Sequence, residues 1–244
     1  MRTTWEEAGW EELGAGVGRR RMPGWDETVG AVVGATGVLI VDTGATLRDG
    51  ARLRRELRGI AGRDVTHVAL THPHFDHVLG AAAFAGVQVF GAAGLDTYLP
   101  LAREELRRDA VSYGVDPDAA AEAADLLVRP HHLVSGERTL DLGGRQVLLA
   151  NVGPGHTAHD LVVLVPGTHG SPEVVFCGDL VEESGEPQAG PDAVPGQWPA
   201  ALDRLLALGG EDAVYVPGHG AVVDARYVRE QRDALSRRFG VSRR

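Results

Sequence analysis

Residues 66–80 read THVALTHPHFDHVLG and place three histidines and one aspartate within six consecutive positions. The apolar start of this stretch predicts a short buried strand, and the polar cluster of His72, His74, Asp76 and His77 follows it directly. The whole chain of 244 residues has only ten histidines. Loops that leave the ends of strands are where a rigid sheet presents functional groups. We therefore interpret the cluster as part of a functional site.

Four more polar residues stand just after other apolar runs: Asp42 after VLIV, His156 after LLANVGPG, Asp179 after VVFCG and His219 after VYVPG. Imidazole and carboxylate groups are the ligands that bind Zn²⁺ at about 2.0–2.2 Å. Alternate residues of an extended segment point the same way, so His72 and His74 can hold one ion while Asp76 and His77, beyond a bend, serve another. Without Asp42, seven such ligands remain, which are too many for one tetrahedral ion and fit two ions with a carboxylate and a water between them.

The pattern around these residues mixes strands and helices in both halves of the chain. Residues 29–33 and 38–41 predict a hairpin, residues 47–60 a helix closed by Gly62, and the pair Gly143-Gly144 the turn of a second hairpin. No Pro/Ser linker divides the sequence. We expect one domain over residues 1–244 with an α+β fold, in which sheets lie in the middle and helices outside.

Three segments are expected to lie around that framework. They are an N-terminal extension at 1–27, a helical insertion at 95–127 and a C-terminal helix at 223–240. The insertion either packs against the sheets or forms a lid over the site. Tyr98 and Tyr113 within it, together with Trp25 and Trp198, are candidates for a pocket wall. The loop at 183–197 is rich in Gly, Pro and acidic residues.

The charge of the chain limits its partners. The formal net charge is −10, and all 24 basic residues are arginine, which argues against a partner with a phosphate backbone. The single cysteine, Cys177, cannot form an intrachain disulfide and is expected in the core. No apolar run approaches the roughly 20 residues that span a bilayer, and the start of the chain has no signal-peptide core. We expect a cytoplasmic protein that acts on a small molecule, without nucleic acid or membrane, as a monomer or a homodimer.

The motif THPHFDH resembles the HxHxDH signature of the metallo-β-lactamase superfamily. The other marks of that family follow in order, as VDTG with Asp42, GPGHT with His156, FCGDL with Asp179 and VPGHG with His219. The resemblance spans roughly residues 28–222. It implies a four-layer αβ/βα sandwich with a site for two zinc ions at one edge.

The resemblance also implies a role for each residue. The first ion would be held by His72, His74 and His156 and the second by Asp76, His77 and His219, with Asp179 bridging the two ions and Asp42 orienting the ligands from behind. The implied reaction is hydrolysis, in which a hydroxide between the ions attacks a carbonyl. Asp76 would accept or relay a proton as the catalytic carboxylate.

The branch of the family decides the expected substrate. The bridging aspartate and full ligand set are those of glyoxalase II-like thioesterases and of lactonases, which favours an ester, thioester or lactone of a small molecule. True β-lactamases of this fold generally lack that aspartate, and the nuclease branches need a basic surface. The alternative is an enzyme similar to persulfide dioxygenases, with one iron held by His72, His156 and Asp179. A non-catalytic metal-binding domain is a third hypothesis.

The remaining histidines are expected to have ordinary structural roles. His159 is close enough in the sequence to His156 to orient one of the metal ligands through a hydrogen bond. The others, expected at the surface or in caps, are His67, His131, His132 and His169.

Overall fold

The computed structural model describes residues 3–168 and 170–241. His169 therefore lies outside the described residues. Strands of the described part form two sheets. The seven-stranded sheet follows chain order and holds β1 (Glu11–Gly14), β2 (Val17–Arg21), β3 (Thr28–Val33), β4 (Val38–Val41), β5 (His67–Ala69), β6 (Gln88–Ala92) and β7 (His132–Val134). The five-stranded sheet, in spatial order, holds β12 (Val214–His219), β11 (Val174–Glu182), β10 (Val162–Val165), β9 (Gln146–Ala150) and β8 (Glu137–Asp141).

The helices connect these strands and cover the outer faces. They are α1 (Leu47–Ala61), α2 (Phe75–Val78), α3 (Leu95–Ser112), α4 (Pro117–Asp125), α5 (Trp198–Gly209) and α6 (Ala225–Phe239), with a 3₁₀ helix at Ala81–Phe84. In this part of the chain, no helix is both long enough and apolar enough to cross a bilayer.

Three apolar clusters lie between four layers. In β4, Val38 and Ile40 pack toward α1 and α3, whereas Leu39 and Val41 face the other sheet. Strand β11 does the same on the other side, since Phe176 faces the first sheet and Cys177 packs toward α5 and α6. Side chains alternate along a strand, so a strand that is apolar at every position is buried on both faces. The predicted αβ/βα sandwich is confirmed, and Cys177 is buried in the core as expected.

Helix α1 begins and ends where its sequence predicts. The side chain of Thr46 accepts the N–H of Asp49, and Gly62 closes the helix with φ +69°, a conformation that glycine adopts without strain. The predicted hairpin of β3 and β4 is antiparallel, and β4 continues into β5 through α1 as a parallel neighbour. This crossover brings the ends of β4 and β5 to the same edge of the sheet.

The β1–β2 hairpin was not predicted, because β2 reads VGRRR and does not resemble a buried strand. Arg19 and Arg20 are nevertheless buried. Arg19 donates to the carbonyl of Gly220 at 2.9 Å and pairs with Glu11 at 2.7 Å. Arg20 donates to the carbonyl of Ala8 at 2.9 Å. These hydrogen bonds and the ion pair offset part of the desolvation cost of burying the two arginines. The short strand β7 was also not predicted.

Candidate metal centre

All seven predicted ligands converge at one edge of the sandwich. The loop after β5 and the first turn of α2 carry His72, His74, Asp76 and His77. The second sheet supplies the other three from the loop between β9 and β10 (His156), from within β11 (Asp179) and from the end of β12 (His219). Their ligand atoms form two groups, each within 4.8 Å.

The first group consists of His72, His74, His156 and Asp179. Nε2 of His156 lies 3.0 Å from Nδ1 of His74. Nε2 of His72 and Nε2 of His156 each lie 3.5 Å from Oδ2 of Asp179. Ligand atoms bound to one tetrahedral zinc ion at 2.0–2.1 Å lie about 3.3 Å apart. The spacing of the group therefore fits one ion.

The second group consists of Asp76, His77 and His219. Nε2 of His219 lies 3.3 Å from Oδ2 of Asp76 and 3.4 Å from Oδ2 of Asp179. Nε2 of His77 lies 3.3 Å from the other carboxylate oxygen, Oδ1 of Asp179. The carboxylate of Asp179 thus lies between both groups, at the position of the predicted bridge.

Hydrogen bonds on the outer side of the imidazoles fix which nitrogen faces the centre. Thr71 donates its hydroxyl hydrogen to Oδ2 of Asp42 at 2.7 Å, so its oxygen accepts from Nδ1 of His72 at 2.9 Å. Nδ1 of His156 donates to the carbonyl of Gln188 at 3.0 Å, and Nδ1 of His219 to the carbonyl of Trp25 at 2.8 Å. Such outer partners are typical of metal-binding histidines. Each leaves Nε2 directed inward.

The donor set fits a cation. Burial lowers the pKa of His72 to about 4 and that of His156 well below its usual value, so both imidazoles are neutral at pH 7. Within the described chain, Nε2 of His72, Nε2 of His77 and Oδ1 of Asp179 are buried without a hydrogen-bond partner. Buried acceptors that face one another at these distances need a positive charge between them.

The pKa values of the second group also indicate that its carboxylates require a positive charge beside them. Burial alone would lower the pKa of His219, but the carboxylates of Asp179 and Asp76 outweigh it and raise that pKa to about 12. The pKa of His77 is also raised well above its usual value, because Asp76, Asp179 and Asp42 outweigh its burial. In the metal-free protein, protons therefore supply the positive charge that the carboxylates require.

Two glycines allow chain segments to approach closely around Asp179. Gly178 has φ +54°, and a Cβ there would meet the side chain of Thr71 at 2.8 Å. A Cβ on Gly218 would collide with Oδ1 of Asp179. The motifs FCGDL and VPGHG thus need glycine beside the aspartate and beside the histidine, because the strands approach closely there.

Residues of both candidate ligand groups lie at the floor of a cavity of about 680 Å³. One wall is aromatic: Phe75 packs edge-on against Trp25 at 5.3 Å between ring centroids and stacks on Tyr113 at 5.5 Å. Helix α3 adds Tyr98 and Leu106, and part of the loop at 183–197 forms the opposite wall. Seven carboxyl groups line the cavity: Asp76, Glu105, Asp109, Asp179, Glu182, Glu186 and Asp192. No arginine of the described residues lines it.

Sequence reasoning missed two buried acids near the centre. Glu182, at the end of β11, lies with Asp179 and His219 in a third possible ligand group. Glu27 is buried with Oε1 unpartnered, and burial raises its pKa well above the usual value. A single acid inside or before an apolar strand has no spacing signature. Asp192, which lies 3.1 Å from Nε2 of His74, was missed for the same reason.

The remaining histidines of the described chain lie outside both ligand groups, and three of the four aromatic candidates line the cavity. Nδ1 of His159 lies 3.1 Å from the carbonyl of Ala93, and the ring packs beside Tyr98 rather than in either ligand group. His132 stacks on Phe90 at 4.6 Å, outside both groups. Trp25, Tyr98 and Tyr113 line the cavity, whereas the candidate Trp198 is fully buried beneath His156 and is not among the lining residues. His67 and His131 also lie outside the groups.

Comparison with known proteins gives the family. The model of the metallo-beta-lactamase superfamily matches residues 23–219. The chain belongs to the metallo-β-lactamase superfamily, which confirms the resemblance inferred from its motifs. Metallo-beta-lactamase domain-containing protein 1 of Xenopus laevis is 30% identical over 195 residues, covering 80% of this chain and 71% of that protein.

Solved structures show the same fold. The metallo-β-lactamase FIM-1 from Pseudomonas aeruginosa, in a mono-zinc form, matches with a TM-score of 0.68 and 21% identity over 96% of each chain. A metallo-β-lactamase from Pontibacter korlensis matches with a TM-score of 0.69 and 22% identity, covering 93% of this chain and 98% of that one. At these identities the likeness concerns the fold, and substrates have to be argued from the site.

Proposed function

We propose that this protein is a hydrolase with two zinc ions that cleaves an ester, thioester or lactone of a small molecule. One observation carries the proposal: two ligand groups share the carboxylate of Asp179 at the floor of a cavity of about 680 Å³. His72, His74 and His156 would hold the first ion and Asp76, His77 and His219 the second. Two such ions lower the pKa of a water toward neutrality and polarise a substrate carbonyl.

Asp76 is suited to move the proton. Burial alone would raise the pKa of Asp76, but His77 and His219 outweigh it and lower that pKa to about 2. Its side chain is therefore a carboxylate at neutral pH, and it lines the cavity. A carboxylate within hydrogen-bond reach of the nucleophile can accept a proton and pass it to the leaving group.

The cavity wall favours substrates without negative charge. Two zinc ions would bring four positive charges, against the seven carboxyl groups that line the cavity. Without an arginine on the described wall, a carboxylate or phosphate on the substrate would have no partner away from the ions. The aromatic side chains of Trp25, Tyr98 and Tyr113 suit an uncharged or cationic organic group. This argues against β-lactams, which carry a carboxylate, and against nucleic acid.

An iron enzyme similar to persulfide dioxygenases is the second candidate. Its three expected ligands, His72, His156 and Asp179, do lie together in the first group. The complete second group gives the dinuclear hydrolase the stronger support, because those carboxylates also require a cation. Protein purified without added metal is expected to hold about two zinc ions per chain. One iron per chain with oxygen uptake on thiol substrates would instead support the dioxygenase.

Variants of the ligands test the hydrolase. His72→Ala and His74→Ala should lose bound zinc and reduce hydrolysis in a panel of esters, lactones and thioesters together. The loss of zinc affinity and of activity should exceed the roughly 10–100-fold that is typical when a residue hydrogen-bonded to a metal ligand is removed. His159→Ala is the control, since this nearby histidine belongs to neither ligand group. Full turnover by a metal-free variant would contradict the proposal.

A further inference from the structure

Glu182 is a buried acid directed at the metal centre, and the predicted ligand set does not use it. The residue is 6% exposed and lines the cavity. One of its carboxylate oxygens, an oxygen of Asp179 and a ring nitrogen of His219 all lie within 4.8 Å of one another. These two neighbours belong to the second ion position and to its bridge.

The backbone around Glu182 is held firmly in this place. The side-chain oxygen of Gln231 on α6 accepts the N–H of Glu182 at 3.0 Å, and the hydroxyl of Tyr227 donates to its carbonyl at 2.8 Å. Strand β12 pairs with β11 in parallel, with His219 opposite Glu182. Helix α6 and the sheet register together fix the position from which its side chain reaches the centre.

With Glu182, the two ion positions differ in chemistry. The first has three imidazoles, from His72, His74 and His156, and shares one carboxylate. The second has two imidazoles, from His77 and His219, and the carboxylates of Asp76 and Asp179, and Glu182 forms a further group with Asp179 and His219 beside it. Imidazole-rich sites suit zinc, whereas carboxylate oxygens suit harder cations such as Mn²⁺.

We propose that Glu182 is a further metal ligand at the second position and makes that position selective for a harder divalent cation such as Mn²⁺, while the first position selects zinc. The inference rests on the proposed function in that it uses the same metal centre. It changes the expected metal content from two zinc ions to one zinc and one harder ion wherever both metals are supplied. It also gives the acid at the end of β11 a role.

Metal binding tests the assignment without any substrate. Metal-free protein is first given one equivalent of Zn²⁺ and then titrated with Mn²⁺, which is followed by electron paramagnetic resonance. The wild-type protein should bind one Mn²⁺ per chain. Glu182→Gln should lower the affinity for Mn²⁺ by at least about tenfold, which is the lower end of what the loss of a residue hydrogen-bonded to a metal ligand costs. The affinity for the first Zn²⁺ should be unchanged. Glu186→Gln is the matched control, because Glu186 also lines the cavity but pairs with Arg238 at 3.2 Å.

Two results would overturn the proposal. One is unchanged Mn²⁺ affinity in Glu182→Gln, and the other is equal weakening of both ions in a variant whose metal-free circular dichroism matches the wild type. If Glu182→Gln does not fold, Glu182→Asp serves instead, since it keeps the charge on a shorter stem. Its shorter stem should still weaken the binding of Mn²⁺, and unchanged Mn²⁺ affinity in a folded Glu182→Asp protein would count against the assignment. Binding of both metals without hydrolysis of any tested substrate would contradict the proposed function while supporting the role of Glu182.

Discussion

Asp42 organises the ligands through three hydrogen bonds. Its carboxylate accepts the N–H of Thr71 at 2.8 Å, the hydroxyl of Thr71 at 2.7 Å and Nδ1–H of His77 at 2.9 Å. Its φ of +62° is unusual for a residue other than glycine and costs on the order of 1–3 kcal/mol. The three hydrogen bonds hold the residue there. One carboxylate thereby orients His77 directly and His72 through Thr71.

Replacing Asp42 by asparagine should separate this orientation from the backbone conformation. Asparagine tolerates positive φ, but its amide has one acceptor oxygen where the carboxylate has two. We expect the affinity for the second ion to fall about 10–100-fold while the fold is kept. Competition with a chromophoric zinc chelator measures this. Asp26→Asn is the control, because Asp26 has φ +60° but pairs with Arg21; equal losses in both variants would contradict the expectation.

The sequence could predict the histidine cluster but not every acid near it. His72, His74, Asp76 and His77 stand close together in the chain, and their spacing is the signal. Glu182 acquires its neighbours only when β11 pairs with β12, so no local pattern marks it. Chemistry that depends on register between distant strands is visible only in three dimensions.

Helix α3 packs against the first apolar cluster, which is one of the alternatives that its sequence left open, and another of its faces lines the cavity. Leu95, Leu99 and Leu106 are buried in the first apolar cluster. Tyr98 and Glu105, on the neighbouring face, line the cavity. Leu95, Leu99 and Leu106 recur in the sequence at helical spacing, which predicts a helix with one buried face. The contacts of the cavity-lining face of α3 depend on the loop at 183–197. That loop has no periodic pattern, so its position could not be predicted from the sequence.

A charge reversal on this helix should change which substrates are used. Glu105→Arg places a cation at the acidic wall. The KM for anionic esters should then fall by about fivefold, corresponding to about 1 kcal/mol for a partly screened charge pair. The KM for uncharged esters should stay the same. Glu104→Arg is the control, since Glu104 is adjacent but pairs with Arg107 and does not line the cavity. A similar change in both variants would show that the effect is not local to the cavity.

At the scale of the whole molecule, each candidate ligand group draws its residues from both sheets. The segment after β5 supplies two residues to each group, and the second sheet supplies the others. Runs of consecutive apolar residues predicted strands of both sheets, because burial on both faces leaves a local pattern. The convergence of their loops was inferred from family resemblance, since spacing along the chain does not determine how two sheets face each other.

Metal binding should therefore stabilise the folded chain as a unit, because neither half of the chain has a complete ligand group. Binding to the folded state alone contributes about 2.7 kcal/mol per site when free metal is 100 times its Kd. For a chain of this size, that corresponds to a rise in Tm of about 5–10 °C per site. Calorimetry of metal-free protein with and without zinc measures the rise. His156→Ala, which removes a ligand that the second sheet supplies, should lose the contribution of the first site, whereas His159→Ala should keep the full rise. If zinc binds at both positions but leaves Tm unchanged, the unfolded chain must bind it equally well, and the ions do not join the sheets.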